Sequence, residues 1–200
     1  TLQSGYDKPV YYNTYDVTPL LRQGHNAIGT VLGNGYVTGL RKEHTSYGLP
    51  RLRAQLVIET NRDTLVIPTS TEWHATTDGP IRSNNLYSGE VYDARKEAKG
   101  WTEPGFDDSS WETAARMQTP RGALEPQPCP GRQTQERLTP VSIRQVAKGR
   151  YIIDMGQNMV GQLQATLRGK AGQPVVIRHA ERLDPTDNNR LYTDNLRSAR

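Results

Sequence analysis

Apolar and polar positions alternate with a period of two along several short stretches of this chain. From 162 to 168, Leu163, Ala165 and Leu167 fall on one face, and Gln162, Gln164, Thr166 and Arg168 fall on the other. Successive side chains of a strand point to opposite faces, so the pattern predicts a half-buried strand. It follows an apolar-rich strand at Tyr151–Asp154 across a Gly156-Gln157-Asn158 turn. Residues 53–60 alternate in the same way, with Ala54, Leu56 and Ile58 together. Asn61-Arg62-Asp63 then predicts a hairpin turn into a strand over 64–67. Further strands are predicted over 10–15, 26–32, 91–95 and 175–181, and from near Val141 onward.

Helical signals are short. Thr18 as N-cap and Pro19 at the first helical position predict one turn, which Gly24 ends. Ser109 and Glu112 fit a capping box, in which each side chain satisfies the other's orphan amide, and predict a short helix towards Met117. Residues 119–135 hold four prolines and three glutamines and read as an extended linker. Many short strands between turn residues predict an all-β architecture of two antiparallel β-sandwich units. The first is expected over 1–118 and the second from 136 to 200.

Composition narrows the function classes. The 200 residues are 34% hydrophobic, which predicts a lean core that a neighbouring domain would help to cover. The net charge is +4, but the lysines and arginines are scattered among acidic residues. Nucleic-acid binders cluster them, so that class is set aside. Cys129 is the only cysteine, which excludes an internal disulfide and a cysteine-based zinc site. No apolar run is long enough to span a membrane, and no signal peptide opens the chain, although it begins in mid-pattern.

Three groups of residues carry chemistry or a family signature. Tyr15-Asp-Val-Thr-Pro-Leu-Leu21, Gly24-His-Asn26 and an apolar strand come first; Gly100-Trp101 and Phe106-Asp-Asp-Ser-Ser-Trp111 come later. These resemble the opening and closing segments of the jelly-roll, galactose-binding-like modules of glycosidases. Between them lie Leu32-Gly-Asn-Gly-Tyr36 and Leu86-Tyr-Ser-Gly-Glu-Val-Tyr-Asp-Ala-Arg95. Tyr151 to Gly161, Arg178-His-Ala-Glu181 and Leu191 to Ala199 complete the order. Together the pieces resemble the N-terminal domain of bacterial α-L-rhamnosidases and the start of the β-sandwich that follows it. Asn34 and Tyr36 stand where that family usually has Asp and Trp, and Gln162 stands where a Trp often follows. Each exchange removes charge or aromatic area.

The resemblance implies several things. The parent would be an inverting glycosidase that removes terminal α-L-rhamnose from glycosides or polysaccharides. Its catalytic carboxylates would sit on an (α/α)6 barrel domain of the same chain, leaving this segment inactive alone. Strands before Tyr6 and after Arg200 would complete both sandwiches, and the segment would be stable chiefly within its parent or through association. No cofactor is required, but the N-terminal domain would hold sugar with a calcium ion. Asp7, Asn34 and Tyr36 are the expected sugar-binding residues, supplying a carboxylate, an amide and an aromatic face. The partners would be an L-rhamnose-containing carbohydrate and the barrel domain, with a homo-oligomer also allowed and no membrane or nucleic acid. A bacterial periplasmic or extracellular location is favoured.

Each residue also has a plainer role. Asp7, Asn34 and Tyr36 also read as ordinary loop residues. Trp101 and Trp111 read as apolar anchors beside a turn capped by Asp107 and Ser109. Glu90 and Asp93 lie three apart in a strand and point to opposite faces, which argues against a catalytic pair. Asp93 and Arg95 share a face and are expected to pair as ions; Glu90 and Arg95 also suit a domain interface, as do Gln157 and Asn158. His179 and Glu181 lack further converging ligands, so no metal site is expected there, and 184–189 reads as a hairpin turn. The competing function is a stand-alone carbohydrate-binding β-sandwich with no catalytic domain.

Overall fold

The computed structural model describes residues 8–35, 48–85 and 88–196. The fold is all-β. In chain order the strands are β1 (Val10–Tyr12), β2 (Gln55–Glu59), β3 (Thr64–Pro68), β4 (His74–Ala75), β5 (Ile81–Asn85) and β6 (Gly89–Tyr92). They continue as β7 (Glu112–Thr113), β8 (Leu124–Pro126), β9 (Ser142–Ala147), β10 (Arg150–Asp154), β11 (Leu183–Asp184) and β12 (Asp187–Leu191). Two single 3-10 turns, Thr18–Leu20 and Ala94–Lys96, are the helical content among the described residues.

The chain divides into two units. The first comprises Thr1–Leu86 with Glu90–Gly131; the second comprises Arg132–Arg200 with Tyr87–Gly89. In the first, β2 and β3 form the antiparallel hairpin that the alternation predicts, in register from Gln55↔Pro68 to Glu59↔Thr64. Ala54, Leu56 and Ile58 are half-buried, while Gln55, Val57 and Glu59 are exposed. Thr60 closes the turn. Its amide donates to the Asp63 carbonyl, and its hydroxyl accepts from the Asp63 amide, each at 2.9 Å. β4 pairs with β7, β5 pairs with β6, and β1 pairs in parallel with β8. In the second unit, β9 and β10 form one hairpin and β11 and β12 another, the latter turning at Pro185-Thr186 as expected for 184–189. One face of the first hairpin reaches the second. Arg144 donates to the Asn188 carbonyl and the Asn189 side chain at 2.5 Å, and Arg150 donates to the Asn189 carbonyl at 3.0 Å.

Several local expectations change. The Ser109–Glu112 box forms no helix. Asp107 Oδ1 takes the Ser109 amide at 3.1 Å, which makes an Asx turn, and Glu112 enters β7. A local side-chain bond to the backbone competes with helix and wins here. Thr18 is not the N-cap: Val17 holds that position, and Thr18 instead donates its amide to Asp16 Oδ1 at 2.9 Å. Residues 26–32, 162–168 and 175–181 carry no ladder, and Leu163 and Leu167 are exposed. A turn lies between the last two segments, with the Gln173 amide donating to the Lys170 carbonyl at 3.0 Å. Residues 119–135 contain β8, whose pairing with β1 ties that stretch to the first unit.

Every ladder among the described residues is two-stranded, and none of those residues is fully buried. A two-stranded ribbon cannot cover its own apolar face, so Val57, Val66, Ile143 and Ile153 remain between 44% and 65% exposed.

Candidate functional site

Asn34 sits on the Gly33–Gly35 turn and is fixed from a distance. Its backbone amide donates to Asn84 Oδ1 at 2.9 Å, and its Nδ2 donates to the Asn84 carbonyl at 3.1 Å. The backbone amide and the side-chain amide nitrogen of Asn34 are thereby both tied to Asn84 of β5. Gly35 has φ +49°, a left-handed conformation that glycine adopts without strain. Asp7 and Tyr36, the other two expected sugar-binding residues, lie outside the described residues. Asn84 was not foreseen. Its signal was present, since paired asparagines are unusual in a strand.

Asp93 and Arg95 pair as expected, but not across a strand face. β6 ends at Tyr92, and Asp93 is the N-cap of the 3-10 turn Ala94–Lys96. Arg95 Nε and Nη2 grip the two carboxylate oxygens at 2.8 and 2.7 Å, and the Arg95 amide adds a bond at 3.1 Å. This fork and the backbone bond hold the Asp93 carboxyl down at about 2. Nearby, Asp78 accepts from Lys96 at 2.8 Å and from Arg82 at 2.9 Å, and its pKa is lowered chiefly by Lys96. Tyr92 donates its hydroxyl to Glu97 at 2.6 Å, and that bond raises its pKa.

Glu90 is exposed at the second position of β6. The remaining carboxylates with a shifted pKa, Asp16, Asp107 and Asp184, also move down, each held first by a hydroxyl hydrogen bond from Thr18, Ser109 or Thr186. A glycosidase general acid is pushed the other way. No cluster of three metal-ligating side chains occurs among the described residues.

The two tryptophans anchor the closing segment. Trp101 presses its six-membered ring onto the backbone at Gly29, where an added Cβ would lie 2.3 Å from Cζ3. Trp111 packs edge-on against Phe106 with ring centroids 5.5 Å apart. Both are half-buried. Asp108 in the same turn accepts from His74 Nδ1 at 2.9 Å, which joins the turn to β4. Between this turn and His25–Ile28 lies a recess of about 230 Å³, lined in part by His25, Asn26, Trp101, Glu103, Phe106 and Asp108.

In the second unit, Asp154 shapes the turn that follows β10. Its carboxylate accepts the Gly156 amide and its carbonyl accepts the Val141 amide, each at 2.8 Å. Gln157 and Asn158 follow, exposed to solvent. Glu181 accepts from Asn195 at 2.9 Å, and His179 is exposed beside it in sequence.

Comparison with known proteins decides the family. The family described as the α-L-rhamnosidase N-terminal domain matches residues 1–136, and the bacterial α-L-rhamnosidase concanavalin-like domain matches residues 144–200. The chain belongs to the α-L-rhamnosidase family. Among curated α-L-rhamnosidases, those of Alteromonas sp. (strain LOR) and Streptomyces avermitilis are each 40% identical over 97% of this chain. It spans 21% and 19% of their respective lengths. The Streptomyces avermitilis α-L-rhamnosidase, solved in complex with L-rhamnose, matches 97% of this chain and 19% of its own at TM-score 0.82 and 37% identity. The likeness assigns this rhamnosidase region a β-sandwich fold. The enzyme from Dictyoglumus thermophilum matches 78% of this chain and 17% of its own at TM-score 0.67 and 35% identity.

Proposed function

We propose that this region serves, without catalysing, an enzyme that hydrolyses terminal α-L-rhamnose from glycosides or polysaccharides. The observation that carries the reading is the order of the two family matches, an N-terminal domain followed by a concanavalin-like domain, in a chain 40% identical over 97% of its length to α-L-rhamnosidases. The carboxylate chemistry agrees. Asp93 is locked as an anion by Arg95, so it has no proton to give a leaving group. An inverting pair, with carboxyls roughly 6.5–9.5 Å apart around a water, belongs by this reading to a helical barrel domain in the same parent.

Within that role, the loop of Asn34 contacts sugar, with Asp7 and Tyr36 completing the contact and a calcium ion bridging to hydroxyls. Asn34 Oδ1 suits this task because both amide groups of the residue are already held by Asn84. The parent works in the periplasm or outside the cell.

The test is direct. The purified chain, incubated with p-nitrophenyl α-L-rhamnoside, should give no turnover above buffer. The same chain within its longer parent should be active. Turnover by the 200 residues alone that disappears with Glu90→Gln or Asp93→Asn would place catalysis in this region and reject the accessory role.

A further inference from the structure

We propose that Asn34–Gly35 is a site of self-modification, at which Asn34 loses ammonia and becomes aspartate or isoaspartate at a rate governed by Asn84. The inference stands apart from the rhamnosidase reading, because the step needs only the chain and water.

The nucleophile is the backbone nitrogen of Gly35. No other asparagine in the sequence precedes a glycine. A side chain on the following residue would crowd that nitrogen, and glycine has none. Gly35 is exposed at φ +49°, and nothing lies within 4 Å of where its Cβ would be. Its N–H has no hydrogen-bond partner among the described residues. The nitrogen is therefore open to reaction, and no bond must break to release it.

The electrophile is Asn34 Cγ. Attack by the Gly35 nitrogen forms a C–N bond and closes a five-membered succinimide. The Cγ–Nδ2 bond breaks, and the nitrogen leaves as ammonia, taking the proton that Gly35 gives up. Water then adds to one of the two ring carbonyls. Opening the new bond to Cγ gives aspartate. Opening the bond to the main-chain carbonyl carbon of residue 34 gives isoaspartate, whose backbone runs through Cβ and Cγ. Asp78–Gly79 has the same skeleton but a poorer electrophile, since its carboxylate is ionised and accepts from Lys96 and Arg82.

Asn84 supplies the brake. Its carbonyl accepts Asn34 Nδ2 at 3.1 Å, and its Oδ1 accepts the Asn34 amide at 2.9 Å. Turning Cγ towards Gly35 breaks the first bond, while the second holds the turn's backbone in place. The product cannot remake the first bond. A carboxylate accepts and does not donate, and the Asn84 carbonyl also only accepts. Modification therefore releases the turn from β5 in one direction.

The experiment uses the folded parent protein that contains this region, aged for weeks at body temperature and mildly alkaline pH. Samples are digested, and the peptide that spans Asn34 is resolved by mass spectrometry into asparagine, aspartate and isoaspartate forms. The last two should accumulate at position 34, and hydroxylamine added during ageing should cut the chain between Asn34 and Gly35. Asn84→Ala should speed the conversion about fivefold, the equivalent of one neutral hydrogen bond. Asn34→Gln, which would need a six-membered ring, should stop it. Melting curves check that the variants fold. Wild-type protein in urea, where the Asn84 bonds are gone, should react faster than folded protein, and this comparison needs no variant. No conversion at Asn34 in the folded protein overturns the proposal. Equal rates in folded and urea-treated protein, or in the wild type and a folded Asn84→Ala variant, overturn the control by Asn84.

Discussion

Gly29 and Trp101 are in such close contact that no side chain fits between them. A Cβ built on Gly29 would fall 2.3 Å from Cζ3 and 2.9 Å from Cε3 of the indole. Gly29 is therefore required for space and not for backbone freedom. The contact ties the start of the closing segment to the early part of the same unit.

Gly29→Ala should consequently destabilise the first unit by about 1–3 kcal/mol, the usual cost of forcing an extra methyl group into an occupied position. Thermal melts followed by tryptophan fluorescence measure this. An unchanged melting temperature would mean that the indole moves aside freely and does not anchor the segment.

Trp111→Ala removes the edge-on contact with Phe106. Loss of a fully buried tryptophan costs roughly 3–5 kcal/mol, and half burial reduces the expectation to about 2 kcal/mol. Melting should fall while any sugar binding by the folded fraction stays the same. Unchanged melting with lost sugar binding would make Trp111 a ligand platform instead.

The Asp93–Arg95 fork predicts a specific acid response. The folded-state pKa of Asp93 is about 2, below the roughly 3.9 of an unfolded aspartate. A depressed carboxylate contributes stability that is complete above the unfolded value and is lost as pH falls through the folded one. The window therefore runs from about pH 4 down to about pH 2. Carbon-detected NMR should find the Asp93 carboxyl midpoint near the lower end, and Arg95→Ala should raise it towards the ordinary range. A wild-type midpoint of about 3.9 would show that the fork does not persist in solution.

Asn84→Ala should loosen the Gly33–Gly35 turn without unfolding β5. Losing one neutral hydrogen bond costs about 1 kcal/mol, so amide exchange at Asn34 should quicken about fivefold. Hydrogen exchange resolved by residue provides the measurement. Equal exchange in the variant and the parent protein would mean that the turn holds itself.

What the sequence determined by itself is what neighbours along the chain decide. Alternation placed β2 and β3 because Ala54, Leu56 and Ile58 must share one face of any strand they form. The Thr60–Asp63 turn, the single turn at Pro19 and the hairpin at Pro185-Thr186 are likewise short-range choices made by a few side chains. Family motifs such as Gly-Glu-Val-Tyr-Asp-Ala-Arg were legible for the same reason.

Tertiary structure decided everything that depends on which segments meet. The alternation of 162–168 looks identical whether or not a partner strand lies alongside, and here none does among the described residues. Ser109 could have begun a helix, but Asp107 took its amide first, and β4 then paired with the strand that follows. Asn84 holds Asn34 across fifty positions of sequence, Gly29 receives Trp101, and β8 leaves the expected linker to lie beside β1. Such contacts leave no periodic trace, because each depends on the placement of one pair of residues in space and not on the repeat of a face.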